Sequence, residues 1–327
     1  MLYFETERLI LRDYSENDFE AYYKLKSDPE TMYYLQDIKL STREEARIDF
    51  EQVLCDSKKS DRDFYFLHME EKETGEQIGS IGYNVVDRTP VGKLVHVGYF
   101  TYPKFWGRGY TTEALKRVLE FAFMEDHVYR VTTGCLAENK GSERVMQKCG
   151  LIKEAEHIDY EWHDGRMKTR LEYRLLKREW QALNISIREL KPEEKEKALD
   201  LVWKVFQEYE APDYTKEGVE EFYKSIHDES YLSMLRMYGA FIREKLIGVI
   251  ATRSEETHIA LFFVEGEYHR QGIGKQLFQM VRANCPLDRM TVNSSPYAVP
   301  VYHKLGFRDV DTEKVVCGLR FTPMELR

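Results

Sequence analysis

Tyr99-Phe100-Thr101, then four residues, then Trp106-Gly107-Arg108-Gly109-Tyr110-Thr111 is one of two stretches that decide the reading of this chain. The other is Phe262-Phe263-Val264, again four residues, then His269-Arg270-Gln271-Gly272-Ile273-Gly274-Lys275. In each, a strand-sized apolar run (Leu94 to Thr101, His258 to Val264) ends in a glycine-bearing turn, and helical periodicity follows at Thr111 to Met124 or Lys275 to Ala283. Such a turn points several backbone N–H groups outward and the helix dipole adds positive potential, so it is predicted to bind phosphate. Gly107 and Gly109, and Gly272 and Gly274, permit close approach because they lack Cβ. A lone Gly-x-Gly is equally a tight connection without a ligand. A Walker A loop is excluded, because position 269 is His and Lys275 is followed by Gln276. A dinucleotide fingerprint is excluded too: position 277 is Leu where a third glycine is needed, and both turns lie late in their halves.

Outward from the first turn, the chain reads as a strand at Leu9 to Leu11, a helix from Ser15 to Ser27 with Ser15 and Asp18 at capping spacing, and a helix from Thr42 to Cys55. Phe64 to Met69 and Ile78 to Val86, separated by Glu73-Thr74-Gly75-Glu76, read as a hairpin. A strand at Tyr129 to Cys135, a helix from Gly141 to Lys148 stopped by Gly150, and late strands to about Trp180 complete the half. The second half repeats the order: strand Ile185 to Leu190, helix Glu193 to Phe206, hairpin Ala240 to Arg253 turning near Glu244, the second turn, strand Met290 to Asn293, and helix Val299 to Leu305 stopped by Gly306. Ser142 to Leu151 aligns with Ala298 to Phe307 through a shared Lys-x-Gly-apolar ending. This is a repeat at domain scale, with domains expected at 1–181 and 185–327 and the boundary near 181–184.

Length and composition agree, since 327 residues are about two domains and 43% hydrophobic with 32% charged residues is globular. Residues 1–180 carry 28 Lys and Arg against 34 Asp and Glu, and 181–327 carry 20 against 23, so the halves stand at −6 and −3 within a net −9. A phosphate backbone would be repelled and a cationic amine attracted, which argues against a nucleic-acid partner. Five cysteines without a C-x-x-C pair argue against a disulfide framework or a zinc site, and fit a reduced, cytoplasmic setting. Glu5 and Glu7 stand where a signal peptide needs basic residues, and apolar runs such as Ala260 to Val264 are too short to span a bilayer.

At the two glycine turns the chain resembles the GNAT superfamily of N-acetyltransferases, whose loop reads Gln/Arg-x-x-Gly-x-Gly/Ala after a strand ending in a short apolar triplet. Both copies depart at the first position, with Trp106 and His269, and the first ends in Thr111. Through Thr6 to Arg12, Trp106 with Gly107 to Ala114, Asn139 with Ser142, and Glu179-Trp180, the first half resembles the ribosomal-protein N-terminal acetyltransferase branch. The second resembles a small-molecule-type branch through Ala211 to Tyr214, Phe262 to Val264 and Val292 to Phe307. The resemblance implies an α/β (α+β) chain of two tandem domains, each a mixed, mostly antiparallel twisted sheet with helices on both faces. It implies acetyl-CoA as cosubstrate, no metal, and residues 99–101, 106–111 and Asn139, with 262–264 and 269–275, as its binding segments.

The family reaction is direct attack of a neutral amine on the thioester, with a base, an oxyanion held by backbone N–H, and an acid for the departing thiolate. Tyr302 stands where the family's tyrosine acid lies, although a core aromatic would occupy that helix position as well. The first half has Met146 there, and a thioether cannot donate a proton. Ser142 is then the family's alternative acid, with Asn139 holding the cosubstrate; both residues also suit helix capping. Base candidates are His96 and Glu161 in the first half, and His258 and Glu265 in the second, each of which would otherwise be an ordinary surface group. Glu208, Tyr209, Glu210, Asp213 and Tyr214 combine acid with aromatic faces and suit an ammonium acceptor, or form a solvated loop. The expected partner is an amine-bearing small molecule or a protein N-terminus, in an enzyme with two acetyl-CoA sites or with one catalytic domain and one binding or scaffolding domain; an oligomer is compatible with all of this.

Overall fold

The computed structural model describes residues 1–285, 287 and 289–327, divided into two compact units, Met1–Trp180 and Gln181–Arg327. The first unit contains β1 (Tyr3–Glu5), β2 (Leu9–Arg12), α1 (Phe19–Ser27), α2 (Arg43–Asp56), β3 (Leu67–Glu71), β4 (Gln77–Thr89), β5 (Gly92–Thr101), α3 (Tyr110–Met124), β6 (Val128–Leu136), α4 (Lys140–Lys148), β7 (Ile152–His163) and β8 (Arg166–Leu176). Its sheet runs β1-β2-β3-β4-β5-β6-β8-β7, antiparallel throughout except for β5 and β6. That parallel pair requires a crossover, which α3 supplies.

Local chemistry sets these bounds. Ser15 and Asp18 form a capping box ahead of α1, and Thr42 and Glu45 form one at α2. The expected strand at Phe64 starts later, at Leu67, because Phe64 makes only an isolated bridge to Asn84 and its side chain is exposed. The two units divide between Trp180 and Gln181, inside α5 (Lys177–Asn184), so the expected boundary near 181–184 lies on a helix that contains neither Gly nor Pro.

The second unit contains β9 (Ile185–Glu189), α6 (Lys195–Tyr209), α7 (Lys216–Ser225), α8 (Glu229–Ser233), β10 (Arg236–Ile242), β11 (Lys245–Arg253), β12 (His258–Val264), α9 (Ile273–Asn284), β13 (Met290–Ser294), α10 (Val299–Lys304), β14 (Arg308–Asp309), β15 (Lys314–Val316) and β16 (Leu319–Leu326). The sheet order is β14-β16-β13-β12-β11-β10-β9, and among the described residues only β12 and β13 are parallel, joined through α9. Helices cover both faces. In the first unit Phe100 packs with Leu25 of α1, while α3 presents Phe121 to Tyr65 on the Tyr83 side. In the second, Phe263 joins the core cluster of α6 residues, whereas Phe262 on the opposite face lies under the start of α9. Each unit is thus a mixed, mostly antiparallel α/β sheet with helices on both sides.

In both units the one parallel pairing comes apart part-way. β5 and β6 pair from Lys93↔Val128 to His96↔Thr132, although β5 continues to Thr101 and β6 to Leu136. β12 and β13 pair only at His258↔Thr291 and Ile259↔Val292. Beyond those points the facing edge of each strand has no strand partner, and a wedge opens toward the glycine turn.

Candidate active site

The two turns superimpose bond for bond. Trp106 donates its indole N–H to the Thr101 carbonyl at 2.9 Å, and His269 Nε2 meets the Val264 carbonyl at 2.7 Å. Because a carbonyl only accepts, Nε2 of His269 carries the proton. Both residues that depart from the Gln/Arg pattern therefore supply a ring N–H that ties the turn to the end of its strand. Gly109 (φ 83°) and Gly272 (φ 82°) are the N-caps of α3 and α9, in the left-handed region. The next bonds correspond as well, Glu113 N–H to Gly109 and Gln276 N–H to Gly272. The N–H groups of Tyr110 to Thr112, and of Ile273 to Lys275, precede the first helical bond and are free to meet an anion.

Gly109 corresponds to Gly272, but the partner of Gly107 (φ 75°) is Arg270, which takes φ 60° without being glycine, and the partner of Gly274 is Thr111. A Cβ at Gly107 or Gly272 would meet nothing within 4 Å, so the space in front of both turns is open. Several of the predicted binding residues are buried: Phe100, Phe263, Tyr110 and Ile273, with Thr101. Arg108, Arg270 and Lys275 are exposed at the turns, while Gln271 folds back to the Glu267 carbonyl at 2.8 Å.

The first turn carries a clamp. The Glu113 carboxylate accepts from the Thr6 hydroxyl at 2.6 Å, the Arg8 N–H at 2.8 Å and Arg8 Nε at 2.7 Å, while Arg8 Nη1 donates to the Arg108 carbonyl at 3.1 Å. Partial burial pushes the Glu113 carboxyl up, but these donors outweigh it and hold it below the usual glutamate range. The N-terminal Thr6-Glu7-Arg8 segment and the helix start 100 residues later thus form one structure.

α4 and α10 approach the wedges with matching backbones. Glu143 N–H binds the Asn139 carbonyl and Val299 N–H the Ser295 carbonyl; Leu151 N–H binds Met146 and Phe307 N–H binds Tyr302. Ser295 therefore stands in the place of Asn139, and Tyr302 in that of Met146. Asn139 caps α4 through Oδ1, which accepts from Ser142 N–H at 3.0 Å. The Ser142 hydroxyl lies 2.9 Å from the hydroxyl of Tyr99, which reaches over from β5.

His96 lies on the opposite sheet face from Tyr99, three residues along the same strand. Its Nδ1 is 3.2 Å from Thr132 Oγ1, which itself donates to the Val95 carbonyl at 3.1 Å. With that hydroxyl proton engaged, Nδ1 carries the hydrogen and Nε2 keeps its lone pair. Burial pushes the imidazole pKa down, Glu172 opposes and Arg170 adds to the shift, so the ring is neutral near pH 7. Glu161 is bound to Arg170 Nη1 at 2.8 Å, and Arg170 Nε to Glu172 at 2.6 Å, which makes Glu161 the outer end of an ion-pair chain.

The second unit redistributes the roles. Tyr302 is buried, 6.0 Å from Phe262 and 5.3 Å from Phe307 between ring centroids, and burial pushes its phenol well above the ordinary range. Glu210, at the end of α6, is pushed up to about 7 by burial, with Ser295 opposing and Asp213 reinforcing the shift. The Ser295 hydroxyl lies near enough to favour the carboxylate but outside hydrogen-bond geometry, so its Oγ is buried without a partner. The charge of Glu210 adds to the upward push on the Tyr302 phenol. Glu265 is held by Lys204 at 2.8 Å and Lys245 at 3.3 Å, and His258 is the first residue of β12, at the end remote from the turn. Neither is disposed to act as the base. Spacing marked Glu210 only as one of several acids, and Ser295, which acts on it, stands over 80 residues away. Tyr209 lies 4.8 Å from His269 and 5.3 Å from Tyr297 by ring centroids, giving this mouth an aromatic wall.

Among the described residues no group of His, Cys, Asp or Glu is disposed to hold a metal ion, and no helix is long and apolar enough to cross a membrane. Residues 8–152 match a family model described as an acetyltransferase (GNAT) domain, and residues 210–327 match a second model of the same description. Uncharacterized N-acetyltransferase p20 of Bacillus licheniformis is 29% identical over 175 residues, covering 54% of this chain and 96% of that protein. Uncharacterized N-acetyltransferase YoaA of Bacillus subtilis is 28% identical over 163 residues, 49% of this chain and 89% of its own. Among solved structures, a GNAT-family acetyltransferase from Bacillus anthracis aligns with TM-score 0.45 and 24% identity over 54% of this chain and 99% of that one. The spermidine N-acetyltransferase of Vibrio cholerae, in complex with CoA and spermine, aligns with TM-score 0.47 and 15% identity over 54% and 99%.

Proposed function

Since the chain belongs to the GNAT acetyltransferases, with one such domain in each half, we propose that both domains bind acetyl-CoA and transfer its acetyl group to a primary amine on a small molecule or a protein N-terminus. The observation that carries this is the repeated wedge: parallel strands that part after His96 and Ile259, each opening toward a helix capped by a left-handed glycine. The free N–H groups at Tyr110 to Thr112 and Ile273 to Lys275 suit a diphosphate, and the unpaired edges of β5 and β12 offer backbone donors to a thioester carbonyl.

In the first domain His96 Nε2 takes the amine proton, Ser142 stands beside the leaving group, and Asn139 fixes the start of α4. Glu161, engaged by Arg170, contributes acceptor-side charge and not the base. In the second domain Glu210 is the base and Tyr302 the acid, and the acidic and aromatic mouth formed by Asp213, Tyr209 and Tyr297 favours a cationic amine. Calorimetric titration of the full chain with acetyl-CoA tests the reading. Two sites are expected, and Gly109→Val or Gly272→Val each removes one; a single site in the parent chain refutes the two-site assignment.

A further inference from the structure

In the second unit the two aromatic positions across the wedge are Phe262 on β12 and Tyr302 on α10, with ring centroids 6.0 Å apart. The same two positions in the first unit hold Tyr99, seven residues before Trp106 as Phe262 is seven before His269, and Met146. The phenol is present in both units, on the helix in one and on the strand in the other. Met146 is fully buried and has no proton to give. The Tyr99 hydroxyl lies 2.9 Å from Ser142 Oγ and 3.2 Å from the Ser142 carbonyl, and Ser142 is held by the Asn139 cap.

We propose that Tyr99 is the proton donor of the first domain, a catalytic phenol supplied from β5 in place of the one missing from α4. This rests on the acetyl-transfer reading above. As the acceptor nitrogen bonds to the acetyl carbon, its proton passes to His96 Nε2. The C–S bond breaks with its electron pair on sulfur, and sulfur takes the Tyr99 Oη proton. Tyr99 recovers a proton through the Ser142 hydroxyl from solvent, and His96 returns its own to solvent. Burial, opposed weakly by Ser142, pushes the phenol above the ordinary tyrosine range, so it stays protonated throughout the working pH range.

The test uses the full chain in a Gly272→Val background, which confines acetyl-CoA to the first turn, with free-amine peptides and polyamines as acceptors and CoA thiol release as readout. Tyr99→Phe should lower kcat by roughly 10²-fold while the affinity for acetyl-CoA, measured by titration, is unchanged. Adding Met146→Tyr, which recreates the Phe262 and Tyr302 arrangement, should recover most of the loss. Full kcat in Tyr99→Phe overturns the assignment, as does a loss expressed only as weaker acetyl-CoA binding. A double variant that melts with the parent yet stays at the Tyr99→Phe rate also overturns it. If the Gly272→Val background binds acetyl-CoA but releases no thiol with any acceptor, the transfer reading itself fails, and the proton donor with it.

Discussion

Replacing Glu210 by Gln should make the second unit more stable and less active, with a pH dependence that identifies the cause. The carboxyl is pushed from the ordinary 4.5 up to about 7, chiefly by burial. In the unfolded chain it loses its proton near 4.5, and in the folded unit only near 7. Between those values the folded state binds more protons, so stability falls as pH rises through the window and the full loss is reached above it. A shift of that size corresponds to about 3 kcal/mol at 1.36 kcal/mol per pH unit. Glutamine keeps the shape without the charge. At pH 4 parent and variant should melt nearly together; at pH 8 the variant should be stabilised by about 3 kcal/mol, which for a unit of this size raises the melting temperature by roughly 10 °C. Scanning calorimetry of the full chain at the two pH values checks this, alongside thiol release in a Gly109→Val background, which should rise with pH through about 7 in the parent and be nearly abolished in the variant. A melting difference equal at both pH values, or undiminished turnover, refutes the assignment of Glu210 as a desolvated, titrating base.

Glu113→Ala should remove the clamp on the first turn and destabilise that unit by about 2 kcal/mol, the range for charge-assisted hydrogen bonds after allowing for solvent screening at half-exposed Arg8. Acetyl-CoA affinity at that turn should fall with it, and because the Glu113 pKa is held down, the clamp's contribution in the parent should vanish only as pH drops below about 4.3. His96→Gln should lower thiol release in the Gly272→Val background by roughly 10²-fold, and the acid limb of the parent profile should lie below about 6.5, since burial depresses this imidazole. Arg270→Gly should stabilise the second unit by about 0.5–1 kcal/mol, because a non-glycine residue at φ 60° carries left-handed strain that exceeds the added chain entropy; calorimetric melting reads this directly.

The backbone of both units was legible from local signals. Strand-to-helix turns, capping spacings and the stops at Gly150 and Gly306 are each encoded within a few residues, and the repeated Lys-x-Gly-apolar ending exposed the duplication. Residues 216–233 received no reading, although Thr215 and Asp228 cap α7 and α8 there, because both helices are short and lack a long apolar period. The chemistry was less legible because it depends on neighbours far apart in sequence. Whether His96 is base-competent turns on the hydroxyl of Thr132, and the acidity of Glu210 on burial and on Ser295. Glu265 and His258 had suitable chemistry in the chain, but Lys204 with Lys245 neutralise the first and the far end of β12 removes the second.

The relation between the two units explains why single positions misled. Their backbones repeat hydrogen bond by hydrogen bond at the turn, at the helix start and at the helix stop, because each bond is dictated by main-chain geometry and tolerates almost any side chain. A phenol that must reach the middle of a wedge is constrained differently. It needs a buried wall and a fixed distance to the reacting atoms, and either bank of the wedge provides both. Tyr99 with Met146 and Phe262 with Tyr302 are then two solutions of one packing problem, an aromatic hydroxyl on one bank and an apolar filler on the other. Position 146 set against 302 alone makes the first unit look disabled, whereas in the proposed reading the phenol has moved from helix to strand and an apolar side chain, Met146 or Phe262, fills the other position.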